Sequence, residues 1–594
     1  MKLVLLDWLA IAAYLLATML VGLYFRRRSS SSTEDYFLSG RGVTWWLAGT
    51  SMVATTFAAD TPLAVTGIVY KQGIAGNWLW WALLPSGMMT VFLFARLWRR
   101  SGLLTDVEFA ELRYSGPPAA FLRGFRAIYL GLLMNCLILG WVTKAMASIT
   151  SSVLGTSDAA SLAICIFFLI PFTGVYASLG GLWGVLWTDL FQFILMMGIV
   201  IAVGFYAVDA TGGIAALLAK LESMRAAAPA AGDVTAFLPD FSLGLTSETL
   251  WTLPALTFLM NLGVQWWSAW YPGAEPGGGG YIAQRIFSTR DERHGLLSVL
   301  WFNVAHYAVR PWPWILTALA AVVLYPGLEK PEGAYMLIVT DHMPPALRGL
   351  LVAGFLAAFM STVATQLNWG SSYLVADFYR RFIQPAAPER HYVNVGRLVT
   401  VLLVAAAGVI SWLLVSVRAA WEIVLELGAG TGAVYLLRWY WWRINAWSEI
   451  SAMATALVVS LGLHFAQPFA ASGSVKFALT ALTTTLVTSV VWMVITLLTQ
   501  PEPQEKLVAF YRRVRPHSGG WQPIARLAPD IPETRDLAAN LLCWLLGTIM
   551  VYAVLFGVGK LIFGLWTTAA VLLLIAAACA GLLYSSLSRR GWES

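Results

Sequence analysis

Apolar stretches of about twenty residues recur along the whole chain, at about 5–25, 43–70, 75–98, 122–152, 159–178, 181–208, 248–270, 294–325, 346–376, 394–418, 419–438, 447–466, 475–499, 538–560 and 563–585. Each is long enough, at about 1.5 Å per residue, to cross a hydrocarbon core of roughly 30 Å. The pattern predicts an all-α polytopic membrane protein of about 15 transmembrane helices. Two of these segments carry an interruption. The second contains "TSMVATTFAADTP" (50–62), a run of small and hydroxyl side chains closed by an aspartate and a proline. The seventh runs into "WYPGAEPGGGGYIAQR" (270–285), whose glycines and prolines cannot continue a helix. Paired interruptions in two halves of a transporter point to an inverted repeat with its site at the bilayer midplane. The blocks 43–208 and 248–438 each hold five apolar segments, and an odd number inverts the second block relative to the first.

Charge then orients the pattern. Basic clusters follow the odd-numbered segments, as at Arg26 to Arg28, Arg99 and Arg100, Arg380 and Arg381, and Arg589 and Arg590. Basic residues concentrate in cytoplasmic loops. The amino terminus is therefore expected outside and the carboxyl terminus in the cytoplasm, in a plasma (inner) membrane. The first segment carries Asp7, ends in a basic run and lacks a small-residue cleavage site, so it reads as a retained helix.

Composition agrees. The chain of 594 residues is 59% hydrophobic and 12% charged, against roughly 25% charged for a soluble domain. The net charge of +7 follows from the loop bias, and a nucleic-acid partner is not expected. No obligate protein partner is evident; the expected partners are a small-molecule solute and the lipid bilayer. Cys136, Cys165, Cys543 and Cys579 all fall in apolar segments without metal-like spacing. The expected organisation is an extra amino-terminal helix (1–28), a first repeat (43–208), an external loop (209–247), a second repeat (248–445), extra helices (446–499), a cytoplasmic loop (500–536) and carboxyl-terminal helices (537–594).

Candidate chemistry starts on the ninth segment. Ala358, Ser361, Thr362 and Thr365 stand at offsets of 0, 3, 4 and 7 and share one helical stripe. A carbonyl and three hydroxyls there form a plausible wall for a small hard cation, completed by carbonyls freed at a broken helix. The alternative is packing of small residues with hydroxyls bonded to the preceding turn. Asp60, Lys144 and Arg310 lie within apolar segments, where a central charge costs at least about 2.5–3.5 kcal/mol and usually faces the bundle interior. Arg310 or Lys144 is a candidate partner for an anionic group on a solute; alternatively they pair with Asp60, or Lys144 snorkels outward. Glu422 and Glu426 are candidate gate residues, and the alternative is solvation in a vestibule. His306 is the one histidine well inside a core segment.

The chain resembles the sodium:solute symporter family, which includes the sodium/glucose, sodium/proline and sodium/sialic acid cotransporters. The likeness runs from about residue 5 to 450 and rests on "EDYFLSGR" (34–41), "SMVATTFAADT" (51–61), "LTDVEFAELRYS" (104–115), "YASLGGLWGVLWTDLFQF" (176–193), "YIAQR" (281–285), "AAFMSTVATQLN" (357–368) and "ADFYRR" (376–381). It implies a LeuT-type fold of five plus five inverted helices with one extra amino-terminal and about four extra carboxyl-terminal helices. It implies Na⁺ bound by the carbonyls of Ala54, Phe57 and Ala358 with the hydroxyls of Ser361 and Thr362. A second sodium in some members uses an aspartate, here Asp189, with Ser361 and Thr365; Ala364 stands where that site can use a hydroxyl. The solute positions implied are Thr56, Thr61 and Trp80, and the aromatic gate corresponds to some of Trp266, Trp267, Trp270 and Tyr271; Asp60 and Arg310, as the anion partner, join them as candidates from the charge reading above. Thr56, Thr61 and Trp80 replace the amides and the acid of sugar-carrying relatives.

These features together predict a sodium-coupled symporter, not an enzyme, that imports a small polar solute by alternating access, with a lean to an anionic organic solute over a neutral hexose. A sodium-coupled sugar symporter, a proton-coupled carrier titrating Asp60, Asp189 or His306, and a transporter-like sensor are the alternatives.

Overall fold

The computed structural model describes residues 4–591 apart from 28, 30, 345, 346, 415–420, 422, 423, 426 and 472. The gate candidates Glu422 and Glu426 lie outside the described residues. Helical runs carry the fold: α1 Leu5–Phe25, α2 Trp45–Thr56, α3 Thr61–Gln72, α4 Ile74–Ser101, α5 Gly116–Leu154, α6 Asp158–Ala210, α7 over 255–268, α8 Gly280–Ser288, α9 Glu292–Leu324, α10 Arg348–Ile383, α11 Glu389–Leu413, α12 Gly432–Tyr440, α13 Ala446–Ala466, α14 Gly473–Leu498, α15 Leu537–Ile562 and α16 Trp566–Arg590. Among the described residues eleven of these are long and apolar enough to cross a membrane, and α2 with α3 make a further span bent by 59°.

The sequence pattern counts fifteen, and the difference has local causes. Segments 159–178 and 181–208 run on as the single path α6, broken only at Gly181, whose φ of 53° is open to glycine and costly for other residues. A side chain there would also meet the Tyr36 carbonyl at 2.8 Å. Segment 248–270 is cut to the short α7. Segment 419–438 is represented by the nine-residue α12 beside undescribed residues.

Both interruptions read from the sequence are breaks in the backbone. Helix α2 stops at Phe57 (φ −93°, ψ 59°). Pro62, which has no N–H to donate, sits in the first turn of α3. The second break leaves 269–279 non-helical between α7 and α8, with Gly277, Gly278 and Gly280 at positive φ. The helices α2 and α8 are tied together at their ends away from the breaks: Val43 N–H donates to Ser288 O (3.0 Å) and Arg290 N–H to Val43 O (3.2 Å).

Burial shows where the core sits. In the most apolar window of α10, 94% of residues are buried, against 22% in α1, α13 and α16. Helix α10 is therefore the axis, packed between α5, α6 and α11, while α1, α13 and α16 keep most of their surface exposed at the periphery. Asp7 of α1 turns inward and accepts the Gly349 N–H (2.8 Å), which places a carboxylate at the amino end of α10. Helix α15 leans on the first repeat through Trp544 Nε1–H to Pro85 O and Tyr552 Oη–H to Trp81 O, both 2.8 Å. The loop 500–536 is folded onto the bundle: Trp521 Nε1–H donates to Trp439 O (2.8 Å), and the Arg113 guanidinium lies 4.7 Å from the Trp521 ring.

Candidate functional site

The α2 break and α10 meet at Thr362. Its hydroxyl donates to Thr55 O at 2.9 Å and lies 3.2 Å from Ala358 O, so one side chain bridges the broken backbone and the buried axis. The Phe57 N–H closes on Ala54 O at 3.1 Å, and the Phe57 ring packs against Trp314 at 4.8 Å. Thr362 and Ala358 thus meet the broken backbone at Thr55, the chain neighbour of Ala54. Ser361, expected with them, turns its hydroxyl to Asp189 Oδ1 (2.7 Å). Thr55 was not singled out from the sequence; its place in the hydroxyl-rich break next to Ala54 was the available signal.

One turn away lies a second cluster, wholly buried. Asp189 accepts from Ser361 at Oδ1 and from Ser51 at Oδ2 (2.5 Å). Arg285 of α8 reaches into the same space. Its Nη2–H donates to Thr365 Oγ1 (2.7 Å), its Nε and Nη2 reach Ser51 Oγ (3.2 Å each), and Nη2 lies 3.8 Å from Asp189 Oδ2. The oxygens of Asp189 and Thr365 that the family resemblance gives to a second sodium here surround a guanidinium. Asp189 is consequently a buried ion-pair partner.

Above Thr362 the α2 break opens into a cavity that Thr56, Asp60, Thr61, Trp80 and Arg310 line together with Thr362. Sequence positions 300 residues apart therefore share one wall. Arg310 follows a π-helical turn, Ala305–Val309, which turns His306 and Arg310 to the same side. Arg310 Nη1–H donates to Thr56 Oγ1 (3.2 Å) and Nη2–H to His306 Nε2 (3.1 Å), while His306 Nδ1 meets Thr56 Oγ1 at 2.9 Å. His306 accepting at Nε2 leaves its proton on Nδ1 for Thr56, so the imidazole is neutral. The guanidinium also lies 5.2 Å from the Trp314 ring. No carboxylate stands within 4.0 Å of it among the described residues, so the expected alternative of a contact ion pair with Asp60 is absent.

Trp80 stacks on Tyr307 (5.9 Å, 20°) with its N–H on Asn77 Oδ1 (2.9 Å). Trp266 and Trp267 are elsewhere: Trp266 packs on Trp544 of α15 (5.6 Å), and Trp267 Nε1–H caps Gly263 O (2.8 Å). Of the gate candidates, Tyr271 is the one that lines the cavity. Helix α7 ends at Ser268, and Ala269 is extended (φ −95°, ψ 136°). Lys144 bonds to the Leu414 carbonyl on α11 and takes no part in the lining. Two amides missed in the sequence, Gln265 and Gln366, also line the cavity. Gln366 lies one turn beyond Thr362 and was legible as an extension of its stripe; Gln265 stands alone in an apolar run.

The comparisons with known proteins accord with this geometry. The model of the family described as "Sodium:solute symporter family" matches residues 36–458. The sodium/glucose cotransporter of Vibrio parahaemolyticus is 26% identical over 485 residues, covering 77% of this chain and 85% of the relative. Sodium/glucose cotransporter 1 of Oryctolagus cuniculus is 27% identical over 479 residues, covering 74% and 69%. The solved structure of a Na⁺-coupled sialic acid symporter in a substrate-bound outward-open state superposes with a TM-score of 0.67 at 18% identity, covering 84% of this chain and all of that one. The likeness bears out the LeuT-type fold, and a symporter family is one of secondary transporters rather than enzymes. Matched over most of its length, with a broken span meeting a hydroxyl-bearing helix at Thr362, this integral membrane protein belongs to the sodium:solute symporter family.

Proposed function

We propose that the chain couples inward sodium flow to import of a small polar solute that carries an anionic group. The observation behind this is Arg310, 2% exposed, without a carboxylate within 4.0 Å among the described residues, on the wall of a cavity that Thr362 also lines. A buried cation left without a counter-ion is costly, and a solute anion relieves the cost. Sodium held by the carbonyls of Ala54, Phe57 and Ala358 and the hydroxyl of Thr362 would tie the α2 break to α10 and order that cavity. Its loss to the low-sodium side would loosen both. One sodium moving down about 100 mV supplies about 2.3 kcal/mol for accumulation. The bias of basic residues toward one set of loops supports an amino terminus outside and a carboxyl terminus in the cytoplasm.

A solute panel on the purified protein, scored by thermal shift with and without sodium, tests this reading. A ligand at about 100 times its Kd should add about 2.7 kcal/mol of stability, and only in sodium. Stabilisation equal in sodium and in choline would overturn the coupling. Gln265 and Gln366 favour a second reading, a neutral sugar, for which hexoses in the panel would give the shift and Arg310→Gln would leave affinity intact.

Because Arg285 takes the oxygens around Asp189, sodium-dependent uptake is expected to follow a Hill slope of about 1. Thr362→Val should weaken sodium about tenfold or more. A slope of about 2 would show a second ion entering despite Arg285.

A further inference from the structure

The cavity holds a second buried charge that an anionic solute leaves unanswered. Asp60, at the α2–α3 break, is 3% exposed, and its Oδ1 has no hydrogen-bond partner. Arg310, which lines the same cavity, keeps an unpartnered Nε. The two face one cavity, yet no ion pair joins them within 4.0 Å among the described residues. Opposite charges on long and short side chains in a low-dielectric space would normally close on each other. Here Arg310 is held back by Thr56, His306 and the Trp314 ring. Asp60 is fixed by its place in the break, where its carbonyl accepts the Ala64 N–H (2.9 Å).

Three solute classes then have different electrostatic consequences. A neutral hexose leaves both charges without a contact ion partner. A simple anion satisfies Arg310 and adds repulsion at Asp60. A molecule with a carboxylate at one end and an ammonium at the other completes both, and with the paired wall charges it makes an occluded complex that gains no net charge from the solute. Tyr271, Trp421 and Trp141 form a chain of ring contacts on the same wall (6.2 and 6.4 Å), which suits the apolar body of such a molecule and the face of an alkylated ammonium.

We infer that the transported solute is a zwitterion of amino-acid or betaine type, its carboxylate on Arg310 and its cationic nitrogen on Asp60. This rests on the reading of Arg310 above. It adds a consequence: the solute carries no net charge, so current reports sodium alone.

The test uses the full-length purified chain and matched probe series: the common L-amino acids and glycine betaine, the corresponding carboxylates without the nitrogen, the corresponding amines without the carboxylate, and hexoses. Thermal shift is measured in sodium, and hits are reconstituted for combined flux and current. At least one zwitterion should bind about tenfold or more tighter than both its carboxylate and its amine analogue, and transport should move one positive charge per solute. Asp60→Asn should erase the preference over the carboxylate analogue. Arg310→Gln should erase the preference over the amine analogue. Sodium-induced stabilisation retained in both variants shows that they fold. A carboxylate binding wild type as well as its amino-substituted analogue, with electroneutral uptake, would overturn the inference while leaving sodium coupling and Arg310 in place. A hexose alone giving the shift would overturn both. Ligand shifts without sodium would overturn the coupling and leave the zwitterion assignment to stand on the two variants.

Discussion

Arg285→Met is expected to destabilise the folded protein by about 3–5 kcal/mol, and Asp189→Asn in the same chain to restore much of that loss. The reason is the closure of the cluster. Arg285 and Asp189 are each 0% exposed, 3.8 Å apart, and share Ser51 as a common hydrogen-bond partner. Removing the guanidinium leaves the Asp189 carboxylate buried with two hydroxyl donors and no cation. It also strips Thr365 of its donor. Removing both charges costs less than removing one, because the desolvation of each ion is then no longer required. Melting temperatures of the two single variants and the double variant in one detergent give the coupling directly. Additive losses would show that the pair is not coupled. The variant has a second readout. With the guanidinium gone, sodium can take its place among Asp189, Ser51 and Thr365. Arg285→Met is therefore expected to be the variant whose stability becomes most dependent on sodium, with lithium and choline as controls.

The two breaks were legible in the sequence because backbone chemistry announces them: Pro62 and the run from Gly277 to Gly280 cannot sustain a helical ladder. The stripe of Ala358, Ser361, Thr362 and Thr365 was legible for the same kind of reason, since helical spacing alone puts those positions on one face. What spacing does not encode is the partner across the gap. Nothing local marks Arg285 as the group that Asp189 and Thr365 enclose, because the two lie 96 positions apart and meet only once α8 packs beside α2 and α10. The "YIAQR" stretch was visible, but nothing in its local pattern marks its arginine as a buried partner. Placement was equally hidden at Trp266 and Trp267. A Trp-rich helix before a break resembles a gate, and only the packed fold shows that Tyr271 lines the cavity while Trp266 lies against α15. Arg310 was conspicuous as a charge in an apolar run, whereas its fixation by His306 depends on a π-helical turn that hydropathy does not reveal.

Glu449→Ala is expected to cost a similar about 3–5 kcal/mol without changing sodium dependence in the protein that remains folded. Glu449, on α13 and wholly buried, is the single carboxylate between two guanidinia: Arg438 of α12 at 3.2 Å and Arg126 of α5 at 3.3 Å. Tyr114 Oη–H adds a third bond at 2.6 Å. Arg126 has a further anion in Asp106, but at 3.9 Å, too long for a hydrogen bond. Deleting Glu449 therefore leaves two buried cations facing each other, where deleting either arginine leaves the other still paired. Arg438→Met should accordingly cost clearly less than Glu449→Ala, and Glu449→Gln should fall between them, since an amide keeps an acceptor for Arg438 but not the charge. Unfolding midpoints for the three variants, read beside sodium titrations of each, check the ranking. An Arg438→Met loss equal to that of Glu449→Ala would mean that packing of the Arg438 stem over Phe109, 4.4 Å from its guanidinium, outweighs the ionic term. The network ties the first extra helix, α13, to both repeats on the face that carries the basic loops, so its stability effect follows from assembly of the scaffold and not from the sodium site.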